Sequence, residues 1–157
     1  MRRLLRAGLL TGITDGLFSS VLVAAFYHST VTRLWQGVAS VLIGKRAFDG
    51  GLRTALLGVA IHFGVAFAWS AVFFLLVTRS AWLQRAVASP GGVLGVAAVY
   101  GPLIWMVMSL LLIPAFTHRP PNINFRWWVQ FFGHIVFVAL PIILANRHPA
   151  RPSNRHA

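Results

Sequence analysis

Four long apolar stretches dominate this 157-residue chain. They run over residues 7–27, 54–77, 91–116 and 127–145. As a helix, each is long enough to cross a hydrocarbon core about 30 Å thick. In lipid, only helices and closed barrels satisfy their own backbone hydrogen bonds. The sequence therefore predicts an all-α integral membrane four-helix bundle, with a single transmembrane domain over residues 1–146.

The composition agrees with a lipid environment. Hydrophobic residues make up 57% of the chain, whereas soluble domains contain roughly 45 to 50%. Fourteen Lys and Arg oppose two acidic residues, which gives a formal net charge of +12. In a soluble protein this charge would indicate nucleic-acid binding. Here the cations flank the apolar stretches, so we expect membrane lipids with anionic headgroups as partners, and no nucleic acid.

The cations also predict an orientation, because cytoplasmic loops retain more Lys and Arg than external loops. With four spans, both termini lie on one side of the membrane. That side holds eight cations: Arg2, Arg3, Arg6, Arg79, Arg85, Arg147, Arg151 and Arg155. The other side holds six: Arg33, Lys45, Arg46, Arg53, Arg119 and Arg126. We therefore predict a bacterial cytoplasmic (inner) membrane protein with both termini in the cytoplasm.

Between the first two spans, residues 30–43 have the pattern of an amphipathic helix. Apolar residues recur there at helical spacing, while Arg33, Gln36 and Ser40 share the opposite side. Such a helix typically lies in the membrane interface. Ser29 or Thr30 is placed to cap its start, and Gly44 to end it. At the other end of the chain, residues 147–157 are basic and polar, and we expect them to be disordered.

Small residues predict where helices approach closely. Gly8, Gly12, Gly16 and Ser20 recur every four residues on the first span, which allows another backbone to come near. Gly58 lies one turn before a histidine in the second span. Such ridges serve either packing within the bundle or a homo-oligomer. We expect packing within the bundle.

Each span also carries one polar side chain near its middle. They are Asp15, His62, Tyr100 and His134, and Gln130 lies one turn before the last of them. Counting 1.5 Å per residue places all four near the membrane midplane. Ionisable groups at this depth are costly unless they face a partner. The sequence therefore predicts one polar midplane cluster.

Several roles are open to such a cluster. It can fasten the helices, handle protons, ions or small solutes, or bind haem through His62 and His134. Catalysis and a metal site are not predicted, because enzyme signatures are absent and Asp15 is the only further metal ligand in the cluster. We expect a non-enzymatic structural or accessory membrane component without a cofactor. Its expected partners are copies of itself or another membrane protein.

Four segments of the chain also carry a resemblance. They are QGVASVLIGKRAFDGG, ALLGVAIHFGVAFAW, VYGPLIWMVMSLLLIP and FGHIVFVALPIILANR. They resemble a group of small bacterial inner-membrane proteins of unknown function and, more distantly, YagU-like proteins. The resemblance covers residues 36–147 and the first-span Asp15, and Gln36, His62, Tyr100 and His134 also match it. It implies a four-helix inner-membrane protein and no particular activity.

Overall fold

The computed structural model describes residues 1–147. Of the predicted disordered tail, only Arg147 is described, and the rest lies outside this range. The described part contains no strand. Its helices are α1 (Arg2–Ala25), α2 (Val31–Ile43), α3 (Gly51–Arg79), α4 (Ala81–Ala86), α5 (Pro90–Thr117) and α6 (Phe125–Asn146). Helices α1, α3, α5 and α6 are long and apolar enough to cross a membrane. The prediction of an all-α bundle with four spans is confirmed, and the chain is a multi-pass membrane protein.

Helix α1 runs antiparallel to α3. Gly8 faces Phe67 and Gly12 faces Phe63, so the residue numbers rise along α1 while those of the contacting residues fall along α3. The absent side chains leave room for the two phenylalanine rings. The glycine spacing of the first span thus lies against another span of the same chain.

Helix α5 runs antiparallel to α6 in the same way. Gly101 lies against the backbone of His134, and Ser109 bonds to Trp127 nearer the connection between the two helices. The spans therefore alternate in direction. We call the half of the bundle that holds both termini the terminal half. The half with the connections over residues 26–50 and 118–124 is the loop half.

An apolar core fills the terminal half. Its large, fully buried members are Phe73 of α3 and Ile142 and Ile143 of α6. Leu83 of α4 and Val87 just beyond it close this core from the end. Dispersion contacts of this kind drive helix association in lipid, where apolar burial brings no gain over the acyl chains.

A proline shapes α6. Pro141 has no N–H, so the carbonyl of Phe137 four residues earlier loses its usual donor. The helix passes through a π-helical segment over Ile135–Ala139 just before the proline. The hydroxyl of Thr14 on α1 donates to the Phe137 carbonyl at 2.6 Å, which is closer than the Leu10 carbonyl of its own helix at 2.8 Å. A side chain of one span thereby replaces the hydrogen bond that the proline removes from another.

Helix α2 packs at the loop end of the bundle against the start of α3. Its N-terminus is capped by Thr30, which accepts a hydrogen bond from the backbone N–H of Arg33 at 3.2 Å. It ends at Gly44, whose φ of 68° suits glycine. Its bounds are close to the predicted 30–43, and its placement in the membrane interface stays a prediction.

The three polar residues predicted on one side of α2 divide in the structure. Arg33 is exposed, with its guanidinium 5.6 Å from the ring centre of Phe48. Ser40 donates to the carbonyl of Gly37 in its own helix. Gln36 is instead buried and donates to the carbonyl of Gly51 at 3.1 Å. This glutamine faces α3, and its bond to the Gly51 carbonyl joins α2 to the first turn of α3.

Candidate functional site

Asp15 and His62 form a pair between α1 and α3. The Nδ1 atom of His62 lies 3.9 Å from Oδ2 of Asp15, and the two side chains are only 15% and 14% exposed. The Nε2 atom of His62 lies 3.0 Å from the carbonyl oxygen of Gly12. One imidazole ring thus contacts both a carboxylate and a backbone carbonyl of the neighbouring span.

Glycines let these two side chains meet. Gly12 and Gly16 flank Asp15 on α1, and a Cβ on Gly16 would lie 3.3 Å from the Trp35 ring and 3.5 Å from Nε2 of His62. The Trp35 ring also meets His62 edge-on, with ring centres 5.1 Å apart. The pair is therefore covered by α2 as well as held by α1 and α3.

The hydrogen bonds of His62 determine where its protons lie. The Gly12 carbonyl can only accept, so Nε2 must carry a hydrogen. In a neutral ring, Nδ1 is then a bare acceptor that faces Oδ2 of Asp15. Two acceptors in this position repel each other unless one proton resides on either the ring or the carboxyl group. The other carboxyl oxygen, Oδ1, is buried and has no hydrogen-bond partner among the described residues.

His134 and Gln130 lie on α6 in the same half of the bundle. The Nδ1–H of His134 donates to the backbone carbonyl of Gln130 at 2.8 Å, and the ring packs on Trp105. The side-chain amide of Gln130 donates to the Ser19 hydroxyl of α1 at 3.3 Å.

Tyr100 does not join this group. Its hydroxyl donates to the backbone carbonyl of Trp69 at 2.8 Å, and its ring packs against Phe73 in the terminal half. Its backbone lies beside Gly101, which contacts His134, so its predicted depth is close to that of the histidine. Side chains on a helix lean toward its N-terminus, and this lean carries the tyrosine hydroxyl away from the loop half.

Two close helix contacts were not predicted. A Cβ on Gly101 would lie 2.6 Å from the carbonyl oxygen of His134, and one on Gly133 would press into the Phe18 ring. Ala97 lies four residues before Gly101, a spacing of small residues that could have indicated the first contact, whereas Gly133 has no small residue four positions away on either side. The predicted Gly58 contact is also made by backbone, because its Cβ would collide with the Trp35 carbonyl.

Other interior contacts could not be predicted from the sequence. The Thr14 bond to Phe137 and the Trp35 cover of the pair follow from packing, and sequence spacing contains no sign of them. Trp127, at the start of α6, is buried and donates to the Ser109 hydroxyl at 2.9 Å. Its neighbour Trp128 is 47% exposed.

The hydrogen bonds of His62 and His134 determine whether the two rings can bind haem. Haem ligation by His62 and His134 requires a free nitrogen on each ring. His62 has Nε2 on the Gly12 carbonyl and Nδ1 toward Asp15. His134 has Nδ1 on its own helix. Ligation by His62 would break an interhelical contact, so this donor set does not fit haem as it stands. Within residues 1–147, no three His or acidic side chains are grouped as metal ligands.

Comparison with known proteins identifies no family for this chain. No protein-family model matches it, and neither does any curated protein or any solved structure. The chemistry of the site therefore rests on the geometry of this chain alone.

Proposed function

We propose that this protein is a structural or accessory component of the bacterial cytoplasmic membrane, with both termini in the cytoplasm. One observation carries the proposal: five hydrogen bonds join different spans through interior side chains. Their donors are Thr14, His62, Tyr100, Trp127 and Gln130. Every span takes part in at least one of them.

The acceptors explain why we favour a fastening role. Three of the five bonds end on backbone carbonyls, those of Gly12, Trp69 and Phe137. A side chain that donates to a neighbouring backbone fixes the register of two helices, and it has less capacity left for a ligand. Interhelical bonds of this type stabilise membrane proteins by about 0.6 kcal/mol on average. Together they hold a small bundle in one arrangement.

An accessory role predicts a protein partner, and native mass spectrometry tests this directly. The full-length protein would be released gently from its own membrane and its mass read without separation. We expect the added mass of a second copy or of another membrane protein. A chain that carries no added protein mass, at a detergent concentration that preserves known complexes of the same membrane, would contradict the proposal.

A second function, the handling of protons, is favoured by the Asp15 and His62 pair. The Gly12 carbonyl fixes a hydrogen on Nε2, which leaves the space between Nδ1 and Oδ2 for one proton. The unpartnered Oδ1 of Asp15 offers a further acceptor. On α6 in the same half of the bundle, His134 has its Nε2 as the ring nitrogen not bonded to Gln130, and this atom can accept a proton.

Proton movement can be measured in liposomes that contain a pH-sensitive dye and carry an imposed membrane potential. If the pair handles protons, the wild-type protein acidifies the lumen faster than empty liposomes. Asp15→Asn then removes this flux while folding is kept. Tyr100→Phe is the matched control, because it deletes a buried hydroxyl outside the pair.

Two results would rule out this second function. One is a wild-type flux equal to that of empty liposomes, and the other is a full flux in Asp15→Asn. If Asp15→Asn does not fold, His62→Gln tests the same pair, since glutamine keeps an N–H for the Gly12 carbonyl. Loss of folding in both variants, with no wild-type flux, would support the fastening role.

A further inference from the structure

A groove opens at the loop end of the bundle, between the end of α2 and the end of α5. Its volume is about 670 Å³. Three cations line it, Lys45 and Arg46 from the turn after α2 and Arg119 from the loop after α5. Apolar side chains form much of the remaining wall, among them Phe48 and Phe116.

The cations of this groove have no acidic partner. Within the described residues, none of the three forms a salt bridge to a carboxylate: Asp15 is paired with His62, and Asp49, at the end of the turn that holds Lys45 and Arg46, forms no salt bridge. Three positive charges at one groove repel each other unless an anion joins them. A phosphate group is the kind of anion that Arg and Lys recognise at short range.

The apolar walls of the groove are exposed. Phe116 is 60% exposed, Leu42 56% and Phe48 41%. The guanidinium of Arg33 lies above the Phe48 ring and adds a fourth cation beside the groove. A ligand that suits both surfaces is anionic at one end and apolar at the other.

The position of the groove selects among such ligands. Lys45 and Arg46 precede α3, and Arg119 follows the end of α5 at Thr117. The ends of membrane spans lie where lipid headgroups meet water. Cations at this depth attract anionic headgroups, and the apolar wall next to them continues toward the acyl chains.

We propose that this groove is a binding site for one anionic phospholipid. Lys45, Arg46 and Arg119 bind its phosphate, and Phe48 and Phe116 pack against the upper part of an acyl chain. The inference goes beyond the proposed function and does not depend on it, because the groove shares no residue with the interior bonds.

Native mass spectrometry with added lipid tests this site. The full-length protein in detergent would be titrated with phosphatidylglycerol and, separately, with phosphatidylcholine. We expect one phosphatidylglycerol to stay bound where phosphatidylcholine is lost. The double variant Arg46→Gln and Arg119→Gln should weaken this retention roughly thirtyfold.

A matched control separates the groove from net charge. The double variant Arg53→Gln and Arg126→Gln loses the same charge from the same end of the bundle, and neither residue lines the groove. This control should retain phosphatidylglycerol as the wild type does. Phe116→Ala should also weaken retention of the lipid, and excess inorganic phosphate should not displace it.

Three results would overturn the proposal. The first is an equal loss of lipid in both double variants, which would show a diffuse effect of charge. The second is equal retention of phosphatidylglycerol and phosphatidylcholine. The third is displacement by inorganic phosphate with no effect of Phe116→Ala, which would indicate a site for free phosphate.

Discussion

The two halves of the bundle are held together in different ways. In the terminal half, Phe73, Ile142 and Ile143 pack into a closed apolar core. In the loop half, the contacts between spans involve a carboxylate, two imidazoles and an amide. Buried polar atoms without a hydrogen-bond partner among the described residues occur in both halves. Ser70 Oγ and Asn146 Oδ1 lie in the terminal half, and the loop half adds the carboxylate oxygen Oδ1 of Asp15 to neutral atoms of Tyr27, Trp105 and Gln130.

This difference shows how a small membrane protein combines two sources of stability. Dispersion packing holds the terminal half and is insensitive to charge. Hydrogen bonds and ion pairs hold the loop half. There, an ionisable side chain that loses its partner destabilises the protein more than the loss of one methyl group does. Substitutions in the two halves should therefore lower the free energy of unfolding for different reasons.

The largest loss is expected from a cavity in the terminal half. Ile142 is fully buried on α6, and Leu144 on the same helix is 50% exposed. Ile142→Ala should lower the free energy of unfolding by about 2 to 3 kcal/mol, because its neighbours lose their contacts. Leu144→Ala removes the same number of atoms and should cost less than about 0.5 kcal/mol. Unfolding in SDS, followed by circular dichroism, measures both, and equal losses would contradict a packed core.

In the loop half, a methyl group added at the contact between α2 and α3 should cost less than that cavity. Gly58→Ala should lower the free energy of unfolding by about 1 to 2 kcal/mol, because the new Cβ collides with the Trp35 carbonyl. Gly64→Ala is the control, since nothing lies within 4 Å of that position. The same unfolding assay applies. If the two variants were equally stable, α2 would not be packed as the structure has it.

The smallest of these losses tests a single hydrogen bond. Thr14→Val should cost about 1 kcal/mol, because it leaves the Phe137 carbonyl without a donor. Thr78→Val removes a hydroxyl that bonds only within its own exposed helix turn, and it should change little. In a Pro141→Ala background the restored N–H should make Thr14→Val nearly neutral. An undiminished loss in that background would show that the hydroxyl acts in another way.

The fold could be predicted from the sequence because it depends on length and polarity alone. The apolar stretches at 7–27, 54–77, 91–116 and 127–145 correspond to α1, α3, α5 and α6. The helices are longer than the stretches at several ends because charged residues such as Arg2 and Arg79 continue the helical backbone beyond the apolar part. Counting residues along a helix gives the depth of each side chain, so the sequence could predict that Asp15 and His62 lie at a similar level.

The remaining features of the site depend on rotation and side-chain direction. The backbone of Tyr100 lies next to Gly101, which contacts His134, but its side chain leans toward the terminal half and bonds to Trp69. Gln36 shares a helix side with Arg33 in the sequence, yet it turns inward and donates to the Gly51 carbonyl at the start of α3. The direction of such a side chain depends on the neighbouring helices. The spacing of residues within one helix contains no information about those neighbours.

The contact between Asp15 and His62 tests the account of the loop half most directly. A double-mutant cycle of Asp15→Asn and His62→Gln, read as free energy of unfolding, isolates the energy of that contact. We predict a coupling of about 1 kcal/mol, so that the double variant loses less than the sum of the two single variants. Strictly additive losses would show that the two side chains do not stabilise each other and would contradict a loop half held by polar contacts.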